Sequence, residues 1–151
     1  MDAARRTDVG SWEAVIPAIP PSANAQLRMH WAIVRKVSTE WLWMLRLAFR
    51  EVPKATGPRR VTFIRFGHGL LDEGDNLAAS YKFVRDLLRP HKVEQGVCGP
   101  KTKTPGKPWS RQQAGIGMVT GDGPGEAEFV YRQSKVSRKI APHTMVILED
   151  L

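Results

Sequence analysis

Three carboxylates crowd into four positions at Asp72, Glu73 and Asp75, with Gly74 between the last two. Like charges at this density repel one another unless water or a cation absorbs the charge. Hard oxygen ligands of this kind suit Mg2+. Directly after them Leu77, Tyr81, Val84, Leu87 and Leu88 recur at helical spacing, which predicts a helix to Leu88 with one face in the core. Asp75 or Asn76 suits its N-cap, since either side chain can accept from a free amide of the first turn. Projected at about 100° per residue, Lys82 and Asp86 fall within ~20° of Asp75, so the three form one polar stripe. Asp86 lies ~16 Å along the axis, too far to share an ion with Asp75, and Lys82 ~10 Å, near enough to lean back toward it. On these residues alone two readings stay open. One is a capped helix with a solvated Lys82–Asp86 pair; the other is a divalent-cation site at the mouth of the helix.

Further groups could bind rather than react. Arg28 and His30 follow the rigid turn Pro20-Pro21-Ser22-Ala23-Asn24. They are either a surface charge and a helix-start residue or groups that the turn presents to a ligand. Between positions 89 and 111, Arg89, Lys92, Lys101, Lys103, Lys107 and Arg111 face one acid, Glu94, with Trp109 among them. Cations interleaved with an aromatic suit a nucleic-acid backbone with a base or sugar to pack against; the alternative is an insertion whose Trp109 tucks against the domain. His68 could serve the acids or stay inert in its loop, and Asp122 stands in the tight turn Gly121-Asp122-Gly123-Pro124.

These residues need elements to position them, and the chain has 151 residues, enough for one core. Trp12 to Ile19 predicts a first strand, and His30 to Val52 the longest helix, with Val34, Val37, Trp41, Leu45, Ala48 and Phe49 as its stripe. Val61 to Phe66 predicts the clearest strand, broken by Gly67-His68-Gly69, so the carboxylates follow a strand end. More than half of the glycines and prolines fall between 90 and 125, which predicts a long basic loop with little regular structure. Strands are expected at Glu128 to Gln133 and His143 to Leu148. The order predicts an α+β fold: a small mixed β-sheet with helices on one face, residues 12–151 forming one domain behind a loose tail at 1–11.

Net charge is +8, which predicts an anionic partner, nucleic acid first. The single Cys98 excludes an intramolecular disulfide and a cysteine zinc site and fits a reducing cytoplasm. No apolar run reaches the ~20 residues of a membrane span.

Pro20-Pro21-Ser22-Ala23-Asn24 with Arg28-Met29-His30-Trp31, then Asp75-Asn76-Leu77 with Lys82 and Asp86, then Gly121-Asp122-Gly123-Pro124 before Val130-Tyr131-Arg132-Gln133, resembles the RusA-like family of Holliday junction resolvases. The three blocks keep the family's order and cover about half of the chain. The resemblance implies a homodimeric, Mg2+-dependent endodeoxyribonuclease of phage or prophage origin that cuts four-way DNA junctions in recombination and repair. It places the metal-binding acids at Glu73 (or Asp72), Asp75 and Asp122, and the catalytic lysine at Lys82. Some relatives carry that lysine about a turn earlier, where this chain has Ala79. It also gives Arg28, His30, Lys101, Lys103, Lys107 and Arg111 a DNA-binding role, and the stretch at about 90–118 is longer than the family leads one to expect. A non-catalytic DNA-binding protein and a structured-RNA-binding domain are the rival readings.

Overall fold

The computed structural model describes residues 1–151, and its sheet is built from both ends of the chain. Five strands stand in the order β1 (Arg5–Arg6), β2 (Trp12–Ile16), β7 (His143–Asp150), β3 (Arg59–Gly67), β6 (Ala127–Lys135). All neighbours are antiparallel except β3 and β6, which run parallel with Arg59 opposite Ala127 and Gly67 opposite Lys135. Alternation sends Ala14, Ile16, Val61, Phe63, Val146 and Leu148 to one face, all of them buried. Against that face pack α2 (Trp31–Ala48), through Trp41 and Leu45, and the pair α3 (Asn76–Ser80) and α4 (Lys82–Leu88), through Leu77, Val84 and Leu88. This is the expected α+β fold, a mixed sheet with helices on one face.

Several expectations need correction. The predicted single helix from Asp75 to Leu88 is two short helices meeting at Tyr81. The apolar spacing is right, since Leu77, Tyr81, Val84, Leu87 and Leu88 are all buried. The break follows from what Tyr81 must reach: its ring stacks on Phe63 at 4.9 Å, and its hydroxyl donates to Thr144 Oγ1 at 2.9 Å, which in turn donates to the Ala18 carbonyl. Burial pushes the Tyr81 phenol up to about 12, so it stays a donor. Trp41 of the predicted stripe belongs to the core, whereas the nearby Trp43 is exposed with Arg46 over its ring. The segment expected to be a loose tail contributes edge strand β1. Before α2, the proline turn leads into a short helix, α1 (Ala23–Arg28), capped by Ser22 Oγ accepting from the Ala25 amide.

The largest correction concerns 90–118. Instead of an irregular loop, the chain forms an antiparallel ribbon, β4 (Lys92–Val97) with β5 (Pro108–Gln113), a sheet of its own. Trp109 makes it possible. Its indole lies across Gly96, its paired residue, where an added Cβ would come within 2.6 Å of the ring. A glycine inside a strand here marks close approach by an aromatic ring. Around this contact Glu94 accepts from Arg111 at 2.7 Å and meets Lys92 at 3.5 Å. The Arg111 hydrogen bond holds the Glu94 carboxyl below its usual range. We expect Gly96→Ala to displace Trp109 and loosen only the ribbon: amide exchange of residues 92–113 should speed up about tenfold, with the melting temperature of the domain unchanged. Uniform acceleration across the chain would show that the ribbon is part of the main cooperative unit.

Candidate functional site

The acidic loop hangs from the carboxyl end of the parallel pair β3–β6. Three side chains hold it there. Arg65, buried near the end of β3, folds its guanidinium over Gly67 and donates to the Gly69 carbonyl at 2.7 Å. A Cβ on Gly67 would lie 2.6 Å from that guanidinium, so the glycine makes room for the arginine. His68 Nε2 donates to the Ile140 carbonyl at 2.7 Å, which makes it a tether of the loop. Gln133, near the end of β6, takes both main-chain groups of Leu71: its Oε1 accepts from the amide at 2.9 Å and its Nε2 donates to the carbonyl at 2.7 Å. The amide side chain thereby acts as a strand neighbour for one residue, directly before the first acid. In the sequence Gln133 stands in a strand and in one block of the resemblance, with no role assigned to it, and nothing local announces a partner 62 positions away.

On this mount Asp72 Oδ1 accepts from the Gly74 amide at 3.0 Å, closing a local turn. Glu73 and Asp75 are exposed and have no hydrogen-bond or ion-pair partner. Asp75 holds the N-cap position of α3, yet its side chain makes no capping bond; the expected cap is therefore absent, and the Leu77 amide finds the Asp72 carbonyl instead. Two carboxylates free of protein partners, with a third on the same loop, are a donor set suited to a hard divalent cation.

The other predicted residues lie elsewhere. Lys82 opens α4, is largely exposed, and reaches Asp86 at 3.9 Å. The pairing at i, i+4 is thus the one observed, because the break at Tyr81 interrupts the stripe that related Lys82 to Asp75. Asp122 stands beyond the far end of α4, 3.6 Å from Arg89 Nη1, whose Nη2 meets Asp86 at 3.2 Å. These three line a cleft of about 520 Å³ with Ser38, His91 and Lys92. Glu73 and Asp75 precede the α3–α4 segment and Asp122 follows it. No three His, Cys, Asp or Glu side chains converge into a group ready to hold an ion. Arg28 is exposed in the last turn of α1, and His30 caps α2, its Nδ1 accepting from the Ala32 amide at 3.2 Å.

The cations are more consistently placed. Lys101, Lys103 and Lys107 occupy the exposed tip of the ribbon, beyond the last β4–β5 pair, while Arg111 is committed to Glu94. No helix is long and apolar enough to cross a membrane. Comparison with known proteins adds no relative to this picture: no family model matches the chain, and neither does a curated protein or a solved structure.

Proposed function

We propose that the chain is an Mg2+-dependent, structure-selective endodeoxyribonuclease that hydrolyses phosphodiester bonds at four-way DNA junctions in recombination and repair, working as a homodimer. The observation that carries this reading is the pair Glu73 and Asp75, unpartnered carboxylates on a loop braced by Arg65, His68 and Gln133, in a protein of net charge +8. Both carboxylates are exposed on a braced loop with no protein partner, which leaves their oxygens available to a cation. The sequence resemblance to RusA-like resolvases supports the same reading.

Glu73 and Asp75 are the residues that would hold the ion, with Asp72 beside them. The ion would neutralise phosphate charge and supply an acidified water. The protein's own part is to fix those carboxylates through the loop tethers, to offer the exposed Lys82 ammonium to charge developing on the phosphate, and to hold duplex arms against its cations. Asp122 is the third acid that the resemblance implies; recruiting it requires Arg89 to let go, which a DNA phosphate could bring about by competing for the guanidinium. A four-way junction offers two symmetric strands, so two sites related by a two-fold axis match it.

The Arg89–Asp122 pair also favours a second reading, a DNA-binding protein whose distant acid is committed to structure and which does not cleave. Incubation of the purified protein with a synthetic four-way junction and a linear duplex, with and without Mg2+, separates the two. Paired nicks in the junction alone, only with Mg2+, are expected. Binding without cleavage across several divalent cations would leave the second reading standing.

A further inference from the structure

The β4–β5 ribbon has two unlike faces. Alternation and register put Lys92, Glu94, Gly96, Trp109, Arg111 and Gln113 on one of them, where Trp109 covers Gly96 and Glu94 gathers its cations. The other face presents Val93, Gln95 and Val97 from β4 and Pro108, Ser110 and Gln112 from β5, every one exposed. That face carries no charge. Its groups are two primary amides, a hydroxyl, a proline ring and branched methyls, set between a basic tip and the body of the protein. An isolated two-stranded hairpin is marginally stable in water and ordinarily hides an apolar side against something. This one packs Trp109 on Gly96 and pairs Glu94 with its cations on one face, with the indole still 43% exposed, and leaves the opposite face without any such contact.

We infer that the ribbon enters the major groove of a duplex DNA arm, with Gln95, Gln112 and Ser110 turned to base edges and Lys101, Lys103 and Lys107 on the flanking phosphates. A two-stranded ribbon fits that groove, about 12 Å wide, and six-residue strands span about 20 Å of length to lie along it. Glutamine pairs two-handed with adenine, serine bonds to several bases, and valine methyls pack on the thymine methyl, so the face favours A·T-containing steps. Charge supports the same partner. The stretch from 89 to 111 has six cations to one acid, and that acid is neutralised on the far face. The deep, narrow major groove of A-form RNA would not admit the ribbon. The inference deepens the proposed function, since it rests on a DNA partner, and adds a sequence preference that junction shape alone does not supply.

The test uses the full-length protein, a pool of linear DNA duplexes carrying a randomised segment, and a duplex RNA. Wild-type protein should enrich a short motif containing A·T steps and show no preference on the RNA. The double variant Gln95→Ala, Gln112→Ala should lose that enrichment, by about fivefold to a hundredfold per lost pair, while keeping overall affinity. The triple variant Lys101→Ala, Lys103→Ala, Lys107→Ala should weaken binding to every sequence and flatten the salt dependence by a slope of at most about three. All five substituted side chains are exposed, so the variants should melt like wild type. Absence of an enriched motif, or the same motif in the glutamine variant, overturns the inference. A linear duplex contains no junction, so the outcome stands apart from the nuclease reading: junction cleavage without a motif removes only the ribbon's role, and a motif without cleavage removes only the nuclease.

Discussion

Asp75→Asn should reduce Mg2+-dependent junction cleavage by on the order of 10² or more while leaving junction affinity unchanged or improved. The amide keeps the size and position of the carboxylate but offers one neutral oxygen, a far weaker ligand for a hard cation. Binding should not suffer, because a negative charge close to phosphate is removed. Folding should not suffer either, since Asp75 makes no capping bond and no ion pair. A companion comparison decides the first acid. Asp72 is already engaged with the Gly74 amide, whereas Glu73 is free, so Glu73→Gln should cost more activity than Asp72→Asn. Near wild-type single-turnover cleavage by Asp75→Asn would remove the acidic loop from the chemistry and leave a DNA-binding protein.

The largest effect on stability is expected at Arg59, at the opposite end of β3. Its side chain is 3% exposed, yet it donates to Asp150 at 2.8 Å, to the Met118 carbonyl at 3.0 Å and to the Pro53 carbonyl at 3.3 Å, with its guanidinium over the ring of Trp12 at 5.2 Å. One planar fork thus joins β2, the turn after α2, the return from the ribbon and the last strand. Arg59→Met fills much of the volume but leaves the buried Met118 carbonyl and the part-buried Pro53 carbonyl without a donor, which costs about 2–4 kcal/mol in all. That should lower the melting temperature by roughly 5–15 °C in a domain of this size. Asp150→Asn should cost much less, because that carboxylate is 61% exposed and its amide replacement still accepts. Equal losses in the two variants would mean that the ion pair, not the carbonyl contacts, is what Arg59 contributes.

The parts of the fold legible in the sequence were those written in local periodicity. The second half of the α2 stripe (Trp41, Leu45, Ala48 and Phe49), strand β3 and the buried face of α3–α4 follow from spacing that the packing then uses, whereas Val34, expected in the stripe, is exposed in the first turn of α2. The ribbon was hidden because its signal is a cross-strand pair: glycine and proline argue for a loop, and only the meeting of Gly96 with Trp109, 13 residues apart, turns two exposed segments into strands. The acidic loop was legible as a cluster, since charge density is a local property. Its mount was not, because Gln133 and Arg65 act on it across the sheet. The shared stripe of Asp75 and Lys82 failed for a related reason: helical projection assumes an unbroken axis, and the anchoring of Tyr81 on Phe63 and Thr144 breaks it.

The position of β7 has a consequence for how the chain comes to be folded. Strand β7, which comes after the other six along residues 1–151, lies between β2 and β3, which share no hydrogen bonds with each other. Until residues 143–150 have emerged, β2 has no partner but the two-residue β1, and the long β3 can pair only with β6. Closing the sheet therefore joins segments separated by most of the chain's length, a slow step in which entropy is lost before contacts repay it. A nascent chain would have no closed core, and the acidic loop would lack its brace until Gln133 and Ile140 had emerged and docked.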